Sequence, residues 1–132
     1  PNIKSPEGKR YVLFLPYGEG HEVGLLFIKY LLKEYGQQAL YLGSNVPLVN
    51  LVEAITIYDP QYAVSVLTQA RTAADINIMV KQISQSVPDL SIILTGDQIA
   101  DNSIKSNSHL IVLQNIKEFI GLINTDIISL AS

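Results

Sequence analysis

Five short apolar segments rich in β-branched and aromatic residues alternate with amphipathic helical stretches, and this alternation constrains the fold more than any other feature. The strands are predicted at Tyr11 to Leu15, Ala39 to Leu42, Tyr62 to Leu67, Ser91 to Leu94 and Leu110 to Leu113. Their apolar runs are near-continuous, as parallel strands covered on both faces require. Between them, Leu48, Leu51, Val52 and Ile55 follow helical spacing, as do Ile76, Met79, Val80 and Ile83. Ile116, Phe119, Ile120 and Ile123 repeat it. The first helix is predicted from about Gly24 to Tyr35, with Gly36 as its stop. Thr72 with Asp75, and Asn115 with Glu118, read as helix caps backed by an acid three residues on. Pro60 and Pro88 help end the helices that precede strands.

Strand–helix repetition with short connections implies an α/β, flavodoxin-like (Rossmann-like), doubly wound parallel sheet of order 2-1-3-4-5. In such sheets ligands bind outside the carboxyl ends of the strands, near the switch point between strands 1 and 3. The 132 residues fit one domain, read as 10–132 after a linker tail at 1–9. With 48% hydrophobic and 16% charged residues, disorder is excluded as an expectation. No apolar run approaches a membrane span, the N-terminus has no signal-like core, and a cytoplasmic location is expected. The absence of cysteine excludes disulfides, thiolate metal sites and a cysteine nucleophile. The net charge of −3 does not provide the basic face that DNA phosphates require. Because the chain begins at Pro1 rather than Met, an excerpt of a longer protein is expected.

The segment after the first strand, PYGEGHEVG (Pro16 to Gly24), puts Glu19, His21 and Gly24 at the predicted crevice. One histidine without cysteine or a second histidine nearby cannot build a zinc site of three or four protein ligands. It can supply one axial ligand to a metal held by a macrocycle. Glu19 could then accept a hydrogen bond from the other ring nitrogen. Taken alone, His21 is read first as an ordinary exposed loop histidine beside an acid. His109, before strand 5, is read as structural.

Glu-x-His-x-x-Gly, at Glu19, His21 and Gly24, resembles the Asp-x-His-x-x-Gly signature of base-off, histidine-on cobalamin-binding domains. That family carries Ser-x-Leu on the third strand, matched by Ser65, Val66 and Leu67. It carries Gly-Gly after the fourth strand, matched in part by Thr95 and Gly96. Tyr41 to Pro47 is similar to the family's turn after strand 2. The resemblance implies a cobalamin cofactor with His21 as the lower ligand of cobalt. Ser65 would hydrogen-bond the displaced benzimidazole nitrogen, and Leu67, Thr95 and Gly96 would border the nucleotide tail. Glu19 in place of aspartate and Thr95 in place of glycine are departures from the family pattern. Alone, Ser65 is also readable as a small strand-end residue and Gly96 as a turn glycine.

The GLLF continuation after His21 resembles the cobalamin domains of MerR-type, light- and cobalamin-responsive transcriptional regulators. That branch implies adenosylcobalamin, a homo-oligomer, and DNA contact only through a separate N-terminal module behind a helical bundle. It also implies regulation rather than enzymatic turnover. A cobalamin-carrying domain of a mutase or methyltransferase is the alternative, as is a cofactor-free relative. A nicotinamide site is disfavoured because the glycines are spaced Gly-x-Gly-x-x-x-Gly and no acid ends strand 2. A phospho-receiver would need an acid at the end of strand 3, where Leu67 and Thr68 stand.

Overall fold

The computed structural model describes residues 8–101 and 104–131. The elements run β1 (Arg10–Pro16), α1 (Val23–Glu34), β2 (Gln38–Val46), α2 (Leu48–Tyr58), β3 (Tyr62–Val66), α3 (Ala73–Ser86), β4 (Ser91–Thr95), α4 (Asp97–Asp101), β5 (Leu110–Val112) and α5 (Ile116–Ala131). All strand pairs are parallel and their order is β2-β1-β3-β4-β5. The doubly wound, flavodoxin-like architecture expected from the sequence is therefore the one observed.

The continuous apolar character of β1 follows from its position at the centre of two cores. Val12 and Phe14 point to the face covered by Leu51 and Ile55 of α2 and by Ile76, Val80 and Ile83 of α3. Tyr11, Leu13 and Leu15 point to the opposite face, beneath Leu25, Ile28 and Leu32 of α1 and Phe119 and Ile123 of α5. Each such buried side chain contributes about 1.5–3 kcal/mol of transfer free energy. Two layers of helix on one sheet leave the strand ends as the place where polar groups can gather.

The caps form as the sequence predicts. Thr72 accepts from the Asp75 amide, and Asn115 Oδ1 accepts from the Glu118 amide at 3.0 Å. Gly36, at φ +73°, closes α1 in a Schellman turn, with its own amide on the Lys33 carbonyl and the Gln37 amide on the Leu32 carbonyl.

Three boundaries differ from the sequence reading. Of the expected tail, residues 1–7 lie outside the described residues. Lys9 already joins the sheet edge: its amide donates to Gln37 Oε1 and its carbonyl accepts from the Gln38 amide. Tyr41 to Pro47 is not a turn, because β2 continues to Val46. It does so through register shifts against β1 that the positive φ of Gly43 and Asn45 accommodates. Finally, α4 is a single short turn of helix after β4 that carries no helical period long enough to read.

Candidate functional site

The carboxyl edge of the sheet, at the switch between β1 and β3, collects most of the residues singled out from the sequence. The loop from Pro16 to α1 carries Glu19 and His21; Ser65 and Leu67 stand at the end of β3, and Thr95 and Gly96 at the end of β4. His109 immediately precedes β5 at the opposite edge, where its carbonyl accepts from the Ile92 amide.

His21 is exposed in the loop, one residue before the N-cap of α1. Glu19 is 0% exposed, and its carboxylate is engaged by the β3–α3 loop. Its Oε1 accepts from the Thr68 amide at 3.1 Å and the Thr68 hydroxyl at 3.0 Å. Its Oε2 accepts from the Gln69 amide at 2.9 Å and from Arg71 Nε at 3.1 Å. The hydrogen bonds of the Glu19 carboxylate among the described residues thus run to the β3–α3 loop. The physical reason is that a buried carboxylate needs charge-assisted partners, and the β3–α3 loop offers two amides, a hydroxyl and a guanidinium together. Burial pushes the Glu19 pKa up, but the amides of Gln69 and Thr68, then Arg71 and the Thr68 hydroxyl, outweigh it and hold the group below the ordinary value.

Ser65 presents the opposite case. It is 0% exposed, and its Oγ has no hydrogen-bond partner. Alternation along β3 puts it on the face of Ala63 and Leu67, toward α2 and α3. On that face a cavity of about 170 Å³ lies between the two helices, lined by Phe14, Pro16, Tyr17, Val46, Leu51 and Met79 among others.

The two glycines serve backbone packing. Gly24 brings the start of α1 against β3: a Cβ there would stand 3.3 Å from Val66 Cγ1. Its close neighbour is thus Val66. Gly96, at φ +115°, is more tightly constrained, because a Cβ would lie 2.5 Å from the Leu67 carbonyl oxygen and 2.8 Å from its nitrogen. Here the β3–α3 loop crosses the end of β4, with the Leu67 amide on the Thr95 carbonyl at 2.9 Å. Gly96 is therefore a position where the backbone itself demands glycine. Thr95, just before it, is an ordinary strand residue opposite Val66.

Large apolar side chains are exposed around this edge. Tyr17 is 77% exposed in the β1–α1 loop and Val49 is 75% exposed in the first turn of α2; Val23, Leu48 and Ile116, each the first residue of its helix, are also exposed.

No family model and no curated protein matches the chain. Solved structures do. The methanol:cobalamin methyltransferase complex MtaBC from Methanosarcina barkeri matches at TM-score 0.69 and 14% identity over 88% of this chain and 46% of that one. The monomethylamine corrinoid protein of the same organism matches at TM-score 0.65 and 18% identity, over 87% of this chain and 56% of that one. The fold is that of the corrinoid proteins. RcsB from Salmonella enterica, solved bound to a promoter, shares it at TM-score 0.56 and 15% identity over 89% of this chain and 61% of that one. The chain spans about half the length of the corrinoid structures it matches. At these identities the likeness establishes the fold alone, so function has to be argued from side chains.

Arg71, Thr68, Gln69, Asn45 and Gln98 are site residues that sequence reasoning missed. Asn45 accepts from the Gly18 amide and donates its own amide to the Glu19 carbonyl, both at 3.0 Å. Gln98 Oε1 accepts from the Arg71 amide at 3.1 Å. A lone cation after the third strand, in a chain with only nine Lys and Arg, was the one available signal.

Proposed function

We propose that this chain is a cobalamin-binding domain holding its cofactor base-off and histidine-on, and that it serves as the sensor part of a MerR-type regulator rather than as an enzyme. The observation that carries the reading is the Ser65 hydroxyl: buried, unpartnered, and placed at the switch point where doubly wound sheets take ligands. A buried hydroxyl without a partner costs about 1–3 kcal/mol. A ligand that brings an acceptor to that position removes the cost.

Cobalamin supplies a cobalt atom whose lower axial position a protein imidazole can fill and whose upper carbon ligand can be cleaved. The exposed His21 would offer its imidazole as that lower ligand, free to approach from solvent. Ser65 would donate to the benzimidazole nitrogen once it has left the metal. Leu67 and the bare backbone of Gly96 would border the nucleotide tail. The exposed apolar side chains of Tyr17, Val23, Leu48 and Val49 would lie under or beside the macrocycle, whose area matches an edge surface better than a deep cavity.

The regulator branch rests on the GLLF continuation and on Glu19 in place of aspartate. It carries the proposals of adenosylcobalamin as the bound form, a homo-oligomer, and DNA contact through another module. A methyl-carrying corrinoid domain is the second reading, and the two Methanosarcina corrinoid structures favour it.

A visible-absorption titration with adenosylcobalamin in the dark, repeated after illumination, separates these. A histidine-on spectrum that changes with light and is lost in His21→Ala supports the sensor. Binding of methylcobalamin without a light response in assembly supports the carrier. A His21→Ala spectrum identical to wild type removes His21 as ligand.

A further inference from the structure

We propose that Arg71 is the positioning residue of the His21 loop: it pins residues 17–19 to the β3–α3 loop and thereby sets where His21 presents its imidazole, in place of a carboxylate that orients the ring directly. The proposal rests on the reading of His21 as ligand.

One guanidinium holds the loop at two points. Arg71 Nε donates to Glu19 Oε2 at 3.1 Å, and Nη2 donates to the Tyr17 carbonyl at 3.3 Å. From the side of β2, Asn45 takes the Gly18 amide and gives its own amide to the Glu19 carbonyl. Residues 17–19 are therefore gripped from both neighbouring strands of β1. Only Gly20, exposed, separates this anchored stretch from His21.

The Glu19 carboxylate is fully engaged. Its two oxygens have about four lone-pair sites, and two Thr68 donors, the Gln69 amide and Arg71 converge on them. It cannot also accept from an imidazole without giving up one of these contacts. The longer side chain of glutamate, compared with aspartate, spans from the loop to β3–α3 and ends on Arg71. The ring of His21 is thus aimed by the loop backbone, and the loop backbone is aimed by Arg71. The Arg71 amide is in turn fixed on Gln98 Oε1, tying the arrangement to α4.

The test is a double-mutant cycle on the full chain with aquacobalamin as probe, together with amide hydrogen exchange on the cofactor-free protein. Arg71→Ala is expected to lower cobalamin affinity and the histidine-on absorption about ten-fold or more. In the His21→Ala background the same substitution is expected to change affinity by no more than about two-fold, because its effect passes through His21. Arg71→Lys, which keeps a charge near Glu19 but cannot fork to Tyr17, should fall between. Without cofactor, the Thr68 and Gln69 amides of Arg71→Ala should exchange faster than in wild type. Equal losses in both backgrounds, or unchanged affinity and exchange, would overturn the proposal. Should Arg71→Ala fail to fold, Arg71→Lys and Thr68→Val, which removes one Glu19 donor, decide it by the same readouts. If the wild type never shows a histidine-on spectrum, the ligand reading fails instead, and the exchange data still report whether Arg71 anchors the loop.

Discussion

Glu19 in the loop after β1 and Ser65 at the end of β3 are both wholly buried at the same edge of the sheet, yet their surroundings are opposite. Around Glu19, amide, hydroxyl and guanidinium donors converge on two carboxylate oxygens. Around Ser65, apolar side chains close in and the hydroxyl is unpaired. Folding alone accounts for the first region, because a buried charge without partners costs several kcal/mol. It does not account for the second, where alanine would fill the space without a polar group to desolvate. The difference separates a buried polar group that the fold pairs from one that it leaves unpaired.

The comparison breaks most visibly if its scaffold is disturbed. Gly96→Ala is expected to destabilise the chain by roughly 3 kcal/mol or more, since the left-handed backbone and the contact with Leu67 both forbid a Cβ. Urea unfolding monitored by circular dichroism measures it, and a loss under about 1 kcal/mol would show that the β3–α3 loop can move aside. Next in size, Glu19→Gln should cost about 2–4 kcal/mol, because an amide presents N–H groups where four donors already point. Its pH dependence has a definite sign. The folded-state pKa of Glu19 lies below the ordinary value of 4.5. Its stabilisation is therefore complete above that value and is lost as pH falls through the lowered one. Urea midpoints taken from pH 7 downward should fall in wild type, and the difference between wild type and Glu19→Gln should shrink with acid. A difference that stays constant would mean that the Glu19 pKa is the same in the folded and the unfolded chain.

What the sequence disclosed and what it hid divide along the same line. The five strands, the caps at Thr72 and Asn115 and the stop at Gly36 were legible because each depends on residues within a few positions of one another. The placing of Ser65, Leu67 and Gly96 at one edge was legible because the strand order follows from the strand–helix alternation. The partners of Glu19 were not. They lie 49 to 52 residues away, and nothing local distinguishes a carboxylate that will face a neighbouring imidazole from one that will face a distant arginine. The extra length of β2 was hidden for a similar reason: Gly43 and Asn45 read as turn formers, but their positive φ values serve register shifts against β1. The short α4 was invisible because five residues cannot express a helical period.

The smallest change in stability is the most discriminating, because its sign differs from its effect on binding. Ser65→Ala removes a hydroxyl that has no partner in the cofactor-free chain, so stability should stay level or rise by up to about 1 kcal/mol. If that hydroxyl donates to the cofactor's benzimidazole, the same substitution should weaken cobalamin binding by roughly 1–3 kcal/mol, about 5- to 150-fold. Thermal unfolding without cofactor and absorption titration with it give the two numbers on one protein. A stability loss with unchanged affinity would place Ser65 with Glu19, as a residue the fold uses for itself. A stability gain with lost affinity is the outcome expected of a group held buried and unpaired for a ligand.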